Sequence, residues 1–391
     1  MVITKFHKPI VSVEWLHKNK DATNLVILDA SIPKVTENTN STNDLCIPKA
    51  RFFDLKNKFS DTAAPFPTTY PTQDQFESEA RNLGINNNSF LVVYDDKDIY
   101  SSPRAWWLFK SFGFENVAVL DGGLPAWIEA FYPLSKKEVY QGAIGNFTAK
   151  KNQDCMCFFD DVQKIVKNRT HQVIDARSQA RFMGQEPEPR EGLRSGTIPN
   201  SKNIPFQNLL VNGRLKSENE IRDIFQEVLE DDKPMVFSCG SGITACVLAL
   251  GAELTGYKNM SVYDGSWTEY GSLINNNDMD AVQNWSKKEL VAYILFYAAN
   301  SNLSETNKER NVILSKVDMN TFQMVYDEFK ADNDYQCIQK IIQGMETHKY
   351  SKSDLNQLFV DIKVLFFADG EFDQVEHVVF NWLKRIINEA A

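Results

Sequence analysis

Six consecutive residues, Cys239-Gly240-Ser241-Gly242-Ile243-Thr244, place a thiol, two glycines and two hydroxyls in one short loop. The apolar strand pattern Pro234–Ser238 precedes it, and a helical pattern starts at Ala245 and runs to Gly256. A cysteine at the end of a strand and the start of a helix sees several backbone N–H groups and the positive helix end, both of which favour a thiolate. The thiolate is the nucleophile that such a loop would present. Gly240 and Gly242 can adopt φ > 0 and curl the loop around one atom, to which Ser241 and Thr244 can donate. The loop is therefore expected to hold one anion or one soft sulfur atom. The plain alternative is a small buried cysteine packing at a strand end. The glycines and hydroxyls argue against it.

The elements that position this loop come in two copies. VILDAS, ending near Asp29, aligns with VIDARS at Asp175, and Ile47–Phe53 aligns with Ile198–Ile204. LVVYDD at Asp95 aligns with MVFSCG at Cys239, and AVLDGG at Asp121 with SVYDGS at Asp264. Short β-branched runs bounded by Asp or Gly alternate with helical patterns such as Arg104–Phe112, so each copy is expected to be an α/β domain with a parallel sheet flanked by helices. The expected boundaries are 8–135 for the first copy and 155–275 for the second. In the first copy Asp95 stands where the second has Cys239, so thiol chemistry belongs to the second copy alone. The first is left to supply a wall to the site through Arg51, Asp29 or Arg104.

From residue 285 to 391 the pattern is all-helical, with amphipathic stretches at Lys287–Ala298, Val312–Val325, Asp334–Gln343, Ser353–Ala368 and Gln374–Ile387. The polar run Asn275–Asp280 reads as the linker. The fold class is thus two α/β domains followed by a small all-α domain.

The chain has 391 residues, 43% of them apolar, and a net charge of -10. Nucleic acid and anionic membrane both need a positive footprint, so neither is expected as a partner. No stretch approaches the roughly 18 apolar residues of a membrane span, and the N-terminus lacks a signal or transit pattern. Six scattered cysteines give neither a disulfide framework nor zinc spacing, so all are read as reduced thiols in a cytoplasmic setting, with no metal or cofactor.

Taken together, the paired halves resemble tandem rhodanese-type sulfurtransferases. The residues that carry the resemblance are the CGSGITAC loop, Leu28-Asp29-Ala30-Ser31, Ser102-Pro103-Arg104, Leu120–Gly123, Arg181-Phe182, Pro187-Glu188-Pro189-Arg190 and Tyr263–Trp267. A loop of glycine and serine rather than basic residues looks most like the 3-mercaptopyruvate sulfurtransferase branch. The resemblance implies that Cys239 becomes a persulfide, that the backbone of 239–244, including Gly240, Gly242, Ile243 and Thr244, cradles its outer sulfur, and that Arg181 and Arg190 grip the substrate's carboxylate and ketone. Guanidinium groups suit a planar carboxylate through paired charge-assisted hydrogen bonds. It also implies a Ser-His-Asp proton relay, of which Ser241 and Asp29 are present, while Cys46 and Thr197 stand where a histidine is expected. The helical domain resembles a tellurite-resistance, TerB-like module through Phe367–Glu376 and Ala298–Glu305. Its acidic residues Asp369, Glu371, Asp373 and Glu376 do not meet calcium-loop spacing and are not read as a metal site; Asp373 is read as an N-cap with Glu376 as its capping-box partner, and Gly370 as the end of the preceding helix.

The expected activity is transfer of sulfur from a small-molecule donor, 3-mercaptopyruvate, to a thiol such as a thioredoxin-like protein or to cyanide. The alternatives are a thiosulfate sulfurtransferase, and a redox or sulfur-sensing module that signals to a protein partner through the helical domain. A phosphatase would need an arginine where this chain has Ala245.

Overall fold

The computed structural model describes residues 2–34, 44–229, 233–274, 285–300, 306–368, 370, 372 and 374–390. Contacts divide it into two compact units, Met1–Ser272 and Leu273–Ala391. Both α/β copies lie in the first unit. The expected linker at Asn275–Asp280 and the residues Ser304, Glu305, Asp369, Glu371 and Asp373 lie outside the described residues.

The first copy contains β1 (Ile10–Val11), β2 (Leu25–Asp29), β3 (Leu45–Cys46), β4 (Arg51–Phe52), β5 (Phe90–Tyr94), β6 (Val117–Leu120) and β7 (Ser135–Lys136). Its helices are α1 (Val13–Asn19), α2 (Gln73–Asn82), α3 (Ser102–Ser111) and α4 (Gly123–Glu129). The second copy contains β8 (Met156–Cys157), β9 (Gln172–Asp175), β10 (Lys202–Asn203), β11 (Leu210–Val211), β12 (Arg214–Leu215), β13 (Met235–Ser238) and β14 (Met260–Tyr263). Its helices are α5 (Phe159–Asn168), α6 (Gln179–Phe182), α7 (Glu218–Gln226), α8 (Ala245–Leu254) and α9 (Ser266–Leu273).

The main sheets run β1-β6-β5-β2-β4 and β8-β14-β13-β9-β10, each entirely parallel. Written this way the two orders superimpose strand for strand, so the duplication read in the sequence is a duplication of topology. Even the turns before β4 and β10 match, with Lys49 at φ 68° and Asn200 at φ 61°. Central strands covered on both faces must be apolar throughout, which is why β5 and β13 are buried at every residue. Both end at the carboxyl edge of a parallel sheet, where open α/β sheets carry their sites.

The two copies share one core. Trp106 and Trp107 of α3 are buried in it together with Val247, Ala249 and Leu250 of α8, and Lys110 pairs with Glu253 across the boundary at 2.9 Å. The Arg104-Ala-Trp-Trp stretch is therefore core packing, as its spacing implied, and it also brings Arg104 to the second copy.

At the end of β5 the first copy has built a closed version of the loop. Asp95 Oδ2 accepts the N–H groups of Tyr100, Ser101 and Ser102 at 2.8 to 3.0 Å and the Ser102 hydroxyl at 2.7 Å, while Oδ1 accepts the Lys97 N–H at 3.0 Å. A buried side-chain carboxylate thus fills the anion position at the start of α3. Asp95→Ala should leave these donors unpaired and lower unfolding stability by at least about 2 kcal/mol. A denaturant midpoint equal to wild type would contradict this.

The second unit contains helices Lys287–Ala299, Asn307–Leu314, Met319–Ala331, Asp334–His348, Lys352–Phe366 and Gln374–Ala390. They enclose a core that includes Leu290, Tyr293, Phe296, Phe322, Ile341 and Leu383. Capping boxes start four of them, at Ser286, Thr306, Asn333 and Ser351. The single helix expected over Val312–Val325 is instead two. Asp318 accepts the N–H groups of Asn320 and Thr321 at 3.0 Å, so its side chain caps a new helix in the middle of the apolar pattern.

Candidate active site

Cys239 leaves β13 between Asp175, which is in register with Ser238, and the β14 end at Asp264. It is buried, as are Ser241 and Ile243. Gly242 has φ +72°, and a Cβ there would lie 2.6 Å from the Asp264 carbonyl oxygen, so the turn requires glycine. Gly240 brings the loop close to both arginines: a Cβ there would lie 3.2 Å from Arg181 Nη2 and 3.9 Å from Arg190 Nη1, at the ends of two flexible side chains. Only one of the two glycines expected at φ > 0 is therefore in that region.

The backbone amides of the loop divide into two sets. The N–H groups of Cys239 and Gly242 both donate to Ser266 Oγ at 3.1 Å, while the Cys239 and Gly240 carbonyls accept from Trp267 and Thr268. Those of Gly240, Ser241, Ile243, Thr244 and Ala245 donate to no acceptor among the described residues. This corrects the expectation that the whole 239–244 backbone faces the sulfur. Cys239 and Gly242 hold the loop, and the others form the crown at the N-terminus of α8.

Both expected arginines converge on this loop. Arg190 donates from Nη2 to Ser241 Oγ at 3.2 Å and from Nη1 to Thr268 Oγ1 at 3.1 Å. Its pKa lies below the usual arginine value, first because it is buried, while Cys239 acts in the opposite direction and Arg181 in the same one. Arg181 Nη2 pairs with Glu188 at 2.5 Å, Glu188 pairs with Arg177 at 2.7 Å, and Arg177 pairs with Asp175 at 2.7 Å. The chain of pairs anchors Arg181, while Arg190 meets no carboxylate among the described residues and is held by two hydroxyls. Glu188 and Arg177 were not singled out as site residues from the sequence. The signal was Glu188 standing between prolines in the same loop as Arg190, and Arg177 following the strand that ends at Asp175.

The first copy supplies the opposite wall. Arg104 is fully buried and its Nη2 binds Asp264 Oδ1 at 2.5 Å and the Thr68 carbonyl at 3.0 Å. Thr68 Oγ1 donates to the Ser241 carbonyl at 2.8 Å, and the Tyr70 N–H donates to Asp264 Oδ2 at 2.7 Å. Arg51 does not take part, since it lies over the Tyr140 ring at 4.0 Å. A cavity of about 500 Å³ opens between Ser241, Ile243 and Arg190 on one side and Ile32, Lys56 and Tyr100 on the other. Cys239 is not among the residues that line it.

Ser241 and Asp29, the two members of the implied relay that this chain has, are not joined to each other. Asp29 accepts from the Ser31 hydroxyl and N–H and pairs with Lys137 at 2.9 Å, and no hydrogen bond joins it to Ser241 among the described residues. Its place at the end of β2 aims it at its own copy's 135–137 segment. Cys46 sits in β3 against Ser135 and the Lys136 carbonyl, the buried strand-edge position its size suits.

Other thiols are poorly placed to compete. Burial pushes Cys155 up to about 11 and Cys246 up to about 12, and it raises Cys157 as well. A larger cavity of about 1320 Å³ lies beside Cys155 and Cys157, away from the loop. Burial keeps these thiols protonated at neutral pH.

Comparison with known proteins agrees with this geometry. Two segments, 12–130 and 159–273, match the rhodanese-like domain. The chain is 40% identical over 290 residues to thiosulfate/3-mercaptopyruvate sulfurtransferase 1, mitochondrial, of Arabidopsis thaliana, a match that covers 68% of this chain and 76% of that one. It is 39% identical to the human 3-mercaptopyruvate sulfurtransferase, covering 67% and 92% of the two chains, and 36% identical to the rat thiosulfate sulfurtransferase, covering 69% and 94%. Among solved structures, SseA from Escherichia coli, described as a 3-mercaptopyruvate sulfotransferase, superimposes with a TM-score of 0.61 at 34% identity, covering 66% of this chain and 99% of that one.

Proposed function

The chain belongs to the rhodanese-like family, and from that premise we propose that it is a sulfurtransferase that takes sulfur from 3-mercaptopyruvate through a persulfide on Cys239. The observation that carries this reading is the run of unpartnered amides in the loop that begins at Cys239, with two guanidinium groups beside that loop. The substrate carboxylate and ketone oxygen sit against Arg181 and Arg190. The Cys239 thiolate attacks the substrate sulfur, so that an S–S bond forms as the C–S bond breaks and its electron pair leaves with the carbon as pyruvate enolate. The arginines stabilise the negative charge that develops on oxygen, and the enolate carbon then takes a proton from water to give pyruvate. The amides of Gly240, Ser241, Ile243, Thr244 and Ala245 surround the sulfur that remains. A thiolate acceptor then attacks that outer sulfur, forms its own persulfide and returns Cys239 to the thiolate.

Two guanidinium groups beside the loop fit the planar carboxylate and ketone oxygen of 3-mercaptopyruvate, and the loop itself carries no cation of the kind that would suit the thiosulfate dianion. Steady-state assays should therefore give a higher kcat/KM with 3-mercaptopyruvate than with thiosulfate. Equal values would place thiosulfate alongside it, and absence of pyruvate release would refute the reading.

The acceptor is a thiol, of the kind a thioredoxin-like protein provides, entering by the 500 Å³ cavity. All six cysteines are free, which supports a reducing compartment such as the cytoplasm. The C-terminal helical unit is read as a TerB-like module that binds a protein partner, on the likeness of its Phe367–Glu376 and Ala298–Glu305 segments to that family.

A further inference from the structure

Ser266 is bonded to the catalytic loop in a way that its counterpart in the first copy cannot be. In that copy the equivalent turn is Asp121-Gly122-Gly123, with Gly123 at φ +56°, and a Cβ there would lie 2.3 Å from the Asp98 carbonyl oxygen. In the second copy the turn is Asp264-Gly265-Ser266, and Ser266 holds nearly the same backbone angle, φ +51°, with a side chain attached. The surrounding backbone bonds match: the Leu124 N–H donates to the Asp95 carbonyl at 2.9 Å, and the Trp267 N–H donates to the Cys239 carbonyl at 3.0 Å. The turns differ one residue earlier, where Gly122 is at φ +80° and Gly265 is not in that region, but at the Gly123/Ser266 position the difference is the side chain with its hydroxyl.

That hydroxyl is fully used. Its proton goes to the Tyr263 carbonyl at 2.8 Å, and its two lone pairs accept the N–H groups of Cys239 and Gly242 at 3.1 Å each. Ser266 is completely buried, so no water can take the place of either bond. A non-glycine residue in the left-handed region is strained, and such strain persists where the surroundings over-determine it. Glycine would remove the strain and serves in the first copy, where no thiol needs positioning.

We propose that Ser266 is a positioning residue for sulfur transfer. By drawing the Cys239 and Gly242 amides back onto one oxygen, it fixes the two ends of the turn so that the amides between and after them point at the transferred sulfur. The proposal rests on the sulfurtransferase reading for its kinetic consequence, and on the loop geometry alone for its structural one.

The test uses Ser266→Gly and Ser266→Ala in the full-length chain. Both lack the hydroxyl, but only the glycine variant relieves the backbone strain, so Ser266→Gly is expected to melt at or above Ser266→Ala. In both, kcat with 3-mercaptopyruvate should fall roughly tenfold or more, with KM within about twofold, because the substrate arginines are untouched. Amide hydrogen exchange at Cys239 and Gly242, the two N–H groups that Ser266 Oγ accepts, should be faster in both. A purely structural role predicts instead that activity follows melting temperature, with Ser266→Gly recovering it. That pattern, or wild-type exchange at Cys239 and Gly242, would overturn the proposal. Wild-type pyruvate release, measured in parallel, separates failure of this proposal from failure of the sulfurtransferase reading.

Discussion

Cys239→Ser is expected to abolish pyruvate release from 3-mercaptopyruvate, by a factor on the order of a thousand or more, while leaving the fold intact. Serine is nearly isosteric and occupies the same buried position at the end of β13, so the Arg181 and Arg190 contacts and the Ser266 bonds have no reason to change. What is lost is the polarisable nucleophile that can carry a second sulfur. Burial raises the pKa of Cys155, Cys157, Cys246 and Cys337, and no other cysteine stands where Cys239 does, at the end of β13, so none can substitute. The assay is steady-state pyruvate release with a matched thermal melt. Retained turnover in a folded variant would remove Cys239 from the mechanism.

Arg104→Ala should have the largest effect on stability. The Arg104–Asp264 pair is buried on both sides, at 1% and 4% side-chain exposure, and it joins the two copies directly behind the loop. Taking away one partner leaves a carboxylate without its cation, which costs about 3 to 5 kcal/mol. Asp264 retains the Tyr70 N–H, so the loss is not of every partner. The double variant Arg104→Met with Asp264→Asn removes both charges and should recover part of that stability. Activity should not recover with it, because Thr68 and the Gly242 turn are packed on the same guanidinium. Denaturant unfolding of the three proteins measures this. An unchanged midpoint in Arg104→Ala would show that the pair contributes nothing.

Much of this was legible in the sequence because it is written in local pattern. The apolar runs at Phe90–Tyr94 and Met235–Ser238, and the paired Asp-Gly turns, disclose two copies of one topology with the cysteine in only one of them. Residue type alone marked the loop, since glycines and hydroxyls next to a cysteine have few other uses. What stayed hidden depends on which atom faces which. The sequence cannot show that two of the loop amides turn toward Ser266, or that Arg181 is rooted through Glu188 and Arg177. Asp29 misled for the same reason: an aspartate at a strand end is equally suited to a proton relay and to the lysine it meets, and Lys137 lies far along the chain. The split at Asp318 was missed because the apolar spacing runs on through it, whereas the cap depends on one side chain turning back onto two amides.

The account stands on one event, the capture of a single sulfur atom by Cys239. Intact-mass and peptide mass spectrometry of the wild-type protein after 3-mercaptopyruvate, and again after a thiol acceptor, observes it directly. The predicted result is a gain of one sulfur atom on the Cys239 peptide, equal in amount to the first equivalent of pyruvate released and lost on adding the acceptor. Pyruvate released with no added sulfur, or the sulfur found on the peptide bearing Cys155 and Cys157, would contradict it.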